Sequence, residues 1–489
     1  MDDRRAFLRS GIAAIAAPSL AFAQPQPGRM IGIQVGAVSF VDEGTDRVLD
    51  TLQERAAVNT IFLATFTYGR GIAGRQVPGQ PLPDHGKQTY DVDFHGGNYG
   101  AVHPQYYRDT GIQPEVTRAP DHGDLDIIAE VLPNAKKRGL KTILWSEDVW
   151  RYDLPGIDKF QEVTLRGQHA QRTCVYNPYH RNFLRGLVED YVRSYDVDGI
   201  MWGSERQGAL GNALGASHGG GGMDPASVGC FCPYCEERGR KQGIQIQRVR
   251  QGFLELAAFV QSVRSGGHPV DGCYVTFWRI LMRYPEIVAW EQFWHDGLRE
   301  IYSEIYQTAH SIKPSILVGW HIWHNNSFSP FYRAQQDVKQ LAKTSDFLKL
   351  VMYHNCGGER MASYVDSVTG TFLGDFSKDD ALELDYRVLN YRERPYEQIP
   401  FTGLSADYVY REAKRGVDGA AGTKTLIWPG IDIDIPTAKS NSRSTPQGTR
   451  DAVLAAFRAG TQGVVLSRKY SEMRLANLSA AGDAVRESK

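Results

Sequence analysis

The chain has few cysteines, few methionines and no surplus of either charge. Six Cys in 489 residues are too few for a disulfide scaffold. Lys plus Arg number 55 and Asp plus Glu 56, a formal net charge of −1. That balance excludes the basic excess of a nucleic-acid binder and equally a sink for polyanions. After the N-terminal segment, no apolar run is long enough to span a bilayer. No G-x-S-x-G, no Walker motif and no G-x-G-x-x-G after a strand is found. The Gly219–Gly222 run lacks the Lys-Ser/Thr of a phosphate loop. Glycine is plentiful, at 50 residues, and aromatics make up 11% of the chain with nine Trp. Hydrophobic residues reach 42%, so a large core can form. At roughly 100–200 residues per domain, the length allows two to four domains or one large barrel.

Residues 1–23 read as an address. Asp3-Arg4-Arg5-Ala6-Phe7-Leu8-Arg9 resembles the twin-arginine export motif, and an apolar run from Gly11 to Phe22 follows it. Ala21-Phe22-Ala23 is a small-x-small cleavage site. The expectation is a signal peptide over 1–23, a catalytic domain over 24–489, and a periplasmic or secreted protein with no membrane attachment after cleavage.

Short apolar runs alternate with longer amphipathic stretches, which is the pattern of βα units around a parallel sheet. Eight runs can be counted: 30–35, 60–64, 142–145, 199–202, 316–320, 347–352, 425–428 and 463–466. Helical stretches include Asp126 to Arg138, His180 to Tyr195 and a closing segment from about Glu472. Eight such units make an α/β fold of the (β/α)8, or TIM-barrel, class. A doubly wound open sheet is the competing topology. Long insertions are expected after strands two and four, at 67–120 and 206–315.

Barrel enzymes place their chemistry just after each strand. Six of the nine Trp (145, 150, 202, 320, 323 and 428) fall at strand ends. Aromatic faces suit the C–H faces of sugars, so this clustering predicts a carbohydrate site. Trp145, Trp202, Trp320, Trp323 and Trp428 are its expected platforms, with His321, His354 and Arg468 as polar contacts. Arg468 is a candidate ligand for a uronate or sulfate, or else a barrel-closing ion pair. Glycoside hydrolysis needs two carboxyl groups. Glu205 after strand four is the first candidate, Asp432 after strand seven its leading partner, and Glu147 after strand three the alternative. Asp434 and Asp148 rank below them. His95-Gly96-Gly97-Asn98-Tyr99, near Asp91 and Asp93, is a candidate cap over a sugar subsite.

Cys230-Phe231-Cys232-Pro233-Tyr234-Cys235 begins 25 residues after Glu205. Three thiols so close could supply three of zinc's four ligands, with Cys174 as the fourth. A thiol cluster without metal, or a disulfide formed after export, is the alternative. Cys273 and Cys356 read as buried singles.

The strand-four acid followed by C-[FY]-C-x-x-C and a basic helix resembles the family 42 beta-galactosidases over about residues 198–240. The resemblance implies Glu205 as acid/base and Cys174, Cys230, Cys232 and Cys235 as ligands of a structural zinc, with no cofactor for catalysis. Two positions depart from the family pattern. Ser204 stands where the family has Asn, and strand seven offers Asp432 and Asp434 where the family has a Glu nucleophile. The expected activity is therefore that of an exported glycoside hydrolase on an oligo- or polysaccharide, without a galactoside assignment. Two alternatives remain open: a metal-dependent sugar lyase or isomerase using His321, His324, His354 and Asp432, and a non-catalytic carbohydrate-binding barrel.

Overall fold

The computed structural model describes residues 28–437 and 444–488. The expected signal peptide at 1–23 lies outside the described residues. Eight parallel strand positions follow one another: β1 (Met30–Val35), β2 (Thr60–Thr67), β3 (Lys141–Glu147), β4 (Gly199–Gly203), β5 (Leu317–Ile322), β6 (Phe347–Met352), β7 and β8 (Gly463–Ser467). β7 is split into Leu426–Ile427 and Gly430–Asp432. β1 pairs with both β2 and β8, so the sheet closes on itself. This is a (β/α)8 barrel rather than an open sheet.

The split in β7 follows from Trp428-Pro429, because proline has no N–H for the ladder. The neighbours bridge the gap: Trp428 N donates to Leu348 O (3.0 Å) and Val465 N donates to Pro429 O (2.8 Å).

Side chains alternate in and out along each strand. Phe62, Ala64, Ile143, Trp145, Met201, Phe347, Trp428 and Val465 fill the lumen. Tight layers need small partners opposite large ones. A Cβ on Gly319 would meet the Phe347 ring at 2.3 Å, and one on Gly32 would meet Phe62 at 2.5 Å. The same parity carried upward points Gln34, Glu147, Glu205, His321, Lys349 and Tyr353 toward the upper mouth.

The alternation also corrects the tryptophan reading. Trp202 and Trp320 have the opposite parity to Glu205 and His321, so they face outward. Trp320 stacks on Tyr302 of the helix Glu286–Ile312 (centroids 4.5 Å, 21°), and Trp202 meets the same ring edge-on at 5.6 Å. Trp428 lies against Phe347 inside the barrel (4.3 Å, 23°). Trp150 packs among Phe66, Phe160 and Phe183. All four are buried in the core and none is a platform for a sugar.

Both expected insertions are present. The segment after β2 holds a short strand, Gly97–Asn98, antiparallel to the end of β2. The segment after β4 holds five helices between Ala209 and Ile312. A hairpin not foreseen from the sequence, Gln161–Val163 with His169–Thr173, rises after β3. No helix among the described residues is long and apolar enough to cross a membrane.

Trp320→Ala should cost about 3–5 kcal/mol of stability through the cavity left against Tyr302. Chemical denaturation would measure this, and a loss under about 1 kcal/mol would contradict a core role.

Candidate active site

Register sets the layer in which the polar residues meet. Glu147 lies beside Gly203, Gly203 beside His321, and His321 beside Lys349. Glu205 stands two residues above Gly203, on the same face.

Lys349 is wholly buried in the lumen. Its ammonium donates to Gln34 Oε1 (2.7 Å), Tyr353 OH (3.0 Å) and His321 Nδ1 (3.1 Å). Gln34 Oε1 also accepts from Ser467 Oγ at 2.7 Å. Burial lowers the Lys349 amine to about 7, against the opposing pull of Glu205 and Glu147.

Because His321 Nδ1 accepts, the proton of the neutral ring sits on Nε2. Nε2 lies 2.9 Å from Glu205 Oε1, so His321 donates to the carboxylate. Burial and the Lys349 charge hold the His321 imidazole at about 4, in its neutral form. Trp145, 1% exposed, lies nearly parallel to the imidazole at 6.5 Å. It forms the floor of the site rather than an open platform.

The two glutamates have different surroundings. The Glu205 side chain is 48% exposed at the mouth. Its partial burial would raise the carboxyl, but the hydrogen bond from His321 and the Arg360 charge hold it below the usual carboxylate range. Glu147 is only 7% exposed, and its one hydrogen bond is a long one from Thr67 Oγ1, at 3.4 Å. Burial and the nearby Glu205 charge push the Glu147 carboxyl up to about 8, despite Lys349 and Arg468. Glu205 therefore rests ionised and Glu147 protonated. Two carboxyl groups driven apart in this way divide into a base and an acid.

Their chain neighbours hold them. Asp148 and Arg206 point away from the mouth and pair at 2.6 Å. Asp148 also accepts from Thr173 Oγ1 (2.9 Å) and Ser204 Oγ (3.1 Å). Ser204 thus has a part of its own, fastening the end of β4 to the end of β3.

Asp432 departs from the expected role. It is fully buried, and its oxygens accept from the backbone amides of Cys356 and Ile435, both at 2.9 Å. It braces the first turn of the helix His354–Thr369 and the chain after β7. Burial raises its carboxyl to about 6. The carboxyl that adjoins Glu205 is Glu147.

His354 also lies elsewhere, lining a cleft of about 290 Å³ with Phe401, Ser405 and Thr445. His324 is turned into the wall: its Nδ1 accepts from Arg360 (3.1 Å) and its Nε2 faces Tyr408 OH (3.1 Å). With His321 Nδ1 against an ammonium and His324 Nδ1 against a guanidinium, these imidazoles are not arranged as a set of metal donors. Arg468 pairs with Glu472 at 2.7 Å. Trp323 is 9% exposed, with His218 against its ring at 5.4 Å. Asp91, Asp93 and His95 line a separate cleft of about 350 Å³ with Arg75 and Asp121.

The sequence reading missed Gln34, His218, Lys349, Tyr353 and Arg360. Lys349 carried a signal, as the single charge within the apolar run Phe347–Met352.

The four cysteines do meet. Cys174, Cys230, Cys232 and Cys235 are buried, and their sulfurs lie within 4.8 Å of one another. Cys174 Sγ is 3.4 Å from Cys235 Sγ and 3.6 Å from Cys232 Sγ. Tetrahedral zinc with Zn–S near 2.3 Å puts sulfurs about 3.8 Å apart, so the donor set fits. None of these cysteines is in a disulfide.

The closed ring of eight parallel strands with helices around it defines a TIM barrel. No family model matches the chain, and no curated protein matches it in sequence. Among solved structures it is similar to a polyextremophilic beta-galactosidase from the Antarctic haloarchaeon Halorubrum lacusprofundi. The TM-score is 0.51 at 12% identity, over 94% of this chain and 58% of that one. A beta-galactosidase from Rahnella sp. R3 gives 0.49 at 12% identity, over 95% and 57%. A GH42 beta-galactosidase from G. stearothermophilus gives 0.48 at 10%, over 94% and 57%. The chain thus spans under three-fifths of the length of these enzymes, and the likeness is one of fold.

The raised Glu147 carboxyl has a consequence for stability. Between about pH 4.5 and 8 the native chain keeps a proton on Glu147 that the unfolded chain has lost, so this residue's contribution falls as pH rises. Compared with Glu147→Gln, the natural protein should lose about 2 kcal/mol or more between pH 5 and pH 8. Parallel stability curves from denaturant titrations would contradict the assignment.

Proposed function

We propose that this protein is a glycoside hydrolase whose catalytic pair is Glu147 and Glu205. The reading is supported by two glutamates on the lumen face of neighbouring strand ends, Glu147 buried and Glu205 half-exposed and held by His321. Glu147 serves as the acid that protonates the leaving oxygen. Glu205 supplies the negative charge on the other side, attacking the anomeric carbon or activating water. His321 holds Glu205 in its anionic form and orients it, and Lys349 fixes the His321 tautomer. These roles differ from the one implied by resemblance, in which Glu205 is the acid/base. The names of the similar enzymes make a glycan the substrate class to test.

Glu205→Gln and Glu147→Gln should each lower kcat by roughly 10²–10⁴-fold on any glycan the protein cleaves, with folding retained by circular dichroism. Full activity in either variant would overturn its role. The pH profile should fall on the alkaline side as Lys349 gives up its proton at about pH 7 and Glu147 at about pH 8. In the glutamine variant at 147, the upper part of that limb should vanish from the residual rate.

We also propose that the four cysteines hold a structural zinc ion. It would tie the hairpin after β3 to the start of the helix Pro233–Lys241. Purified protein should contain one zinc per chain by elemental analysis, and Cys174→Ser should lose it and melt at lower temperature. A full complement of metal in that variant would rule the site out. Residues 1–23 are proposed as the export signal. Replacing Arg4 and Arg5 by Lys should retain the protein in the cytoplasm, as a fractionation blot would show.

A further inference from the structure

The mouth holds a cation that the catalytic scheme does not use. Arg360 projects from the second turn of the helix His354–Thr369 and is half-buried. Its Nη1 donates to His324 Nδ1 at 3.1 Å, and its guanidinium lies over the Tyr353 ring at 5.7 Å. His324 accepts with a neutral ring, so it does not offset the charge; burial and the guanidinium itself keep that imidazole well below its usual range.

Among the described residues Arg360 has no ion-pair partner within 4.0 Å, whereas the other arginine at the mouth, Arg468, has Glu472 at 2.7 Å. The Glu205 carboxylate is held by His321, and Glu147 is uncharged. Among the described residues Arg360 therefore stands at the mouth with no carboxylate in contact. A second donor lies on the same side. His218, from the insertion after β4, stands against Trp323 and Phe328, and its Nε2 is buried with no hydrogen-bond partner among the described residues. His324, which accepts from Arg360, packs on the Phe328 ring at 4.5 Å, and His218 meets the same ring edge-on at 5.9 Å, so Arg360 and His218 stand on one side of the mouth. A guanidinium has five N–H donors in a planar fork suited to a carboxylate or sulfate. Leaving such a charge part-buried and unpaired is costly, and an anionic ligand group removes that cost.

We infer that the glycan taken at this mouth is acidic, with the carboxylate of a uronic acid or a sulfate ester received by Arg360 and His218 beside the Trp323 ring. This inference rests on the glycosidase reading for its catalytic part and goes beyond it in substrate class. It also shifts the expected acidic-sugar ligand from Arg468, whose charge is matched by Glu472, to Arg360.

The test has two arms. In the first, kcat/KM is measured on matched neutral, uronate-containing and sulfated oligosaccharides for the natural protein, Arg360→Gln and Arg360→Lys. The natural protein should favour an acidic class, and the ratio of acidic to neutral kcat/KM should fall at least tenfold in Arg360→Gln and less in Arg360→Lys. The ratio cancels any general effect of the substitution on Glu205. An equal loss on both classes, or a natural preference for neutral glycans, overturns the inference. In the second arm, glucuronic acid, galactose 6-sulfate and galactose are titrated calorimetrically into the natural protein and Arg360→Gln. At least tenfold tighter binding of one charged sugar, lost in the variant, supports the inference even if no glycan is cleaved. In that case the glycosidase reading alone has failed. Equal affinity for charged and neutral sugars overturns it. The two charged probes separate carboxylate from sulfate.

Discussion

An ammonium group held inside a barrel of hydrocarbon is the constraint around which the upper half of this protein is arranged. Lys349 has no route to water, so its protons must all be received by protein, and Gln34, His321 and Tyr353 receive them. Three different strands and the chain above β6 are thereby fixed to one atom. The ammonium also decides which nitrogen of His321 carries hydrogen, and through it which glutamate carries charge. Removing the lysine would leave His321 Nδ1 without its donor, while Gln34 Oε1 would keep the hydrogen bond from Ser467 Oγ.

Behind the two glutamates stands a second layer of opposite sense. Glu147-Asp148 and Glu205-Arg206 are each a pair of adjacent residues, one facing the mouth and one facing the shell. The shell members join each other, and Ser204 and Thr173 add hydrogen bonds to the same aspartate. Thr173 belongs to the hairpin that leads directly into Cys174, so the thiol cluster connects to the acid pair through one short stretch of chain. A site of this kind is positioned by strands and buried ion pairs rather than by loop conformation.

Much of the architecture was legible because the strand signal in a barrel is local: a β-branched apolar run bounded by turns. All eight strand positions fall on runs visible in the sequence, and the helices Ile127–Lys137 and Pro178–Ser194 begin at capping residues, Asp126 and Asn177. The candidate site was legible only in part. Glu205, Glu147, His321 and the four cysteines come together as residue type and position suggest. The tryptophans mislead because a strand end has two faces. Residues 202 and 320 fall on the helix side while 205 and 321 fall on the mouth side, and only counting parity from the lumen separates them. Asp432 misleads for a different reason: the amides of Cys356 and Ile435 take up its carboxylate, and nothing in the local sequence shows that contact. Arg360 and His218 carry no local signal. They reach the mouth from a helix and a glycine-rich insertion, and only tertiary packing places them there.

The paired sense of Glu147-Asp148 and Glu205-Arg206 makes the chain length at these two strand ends a chemical variable. One residue added or removed just before either pair would rotate the working acid into the shell and the clamping residue into the mouth. The barrel would still close, since its lower layers are untouched, but Asp148 would replace Glu147 at the mouth, or Arg206 would replace Glu205. Elsewhere the same chain absorbs an insertion of more than a hundred residues after β4. Length is thus free to vary in the loops of this barrel, whereas the residue count of these two short segments decides which side chains face the mouth.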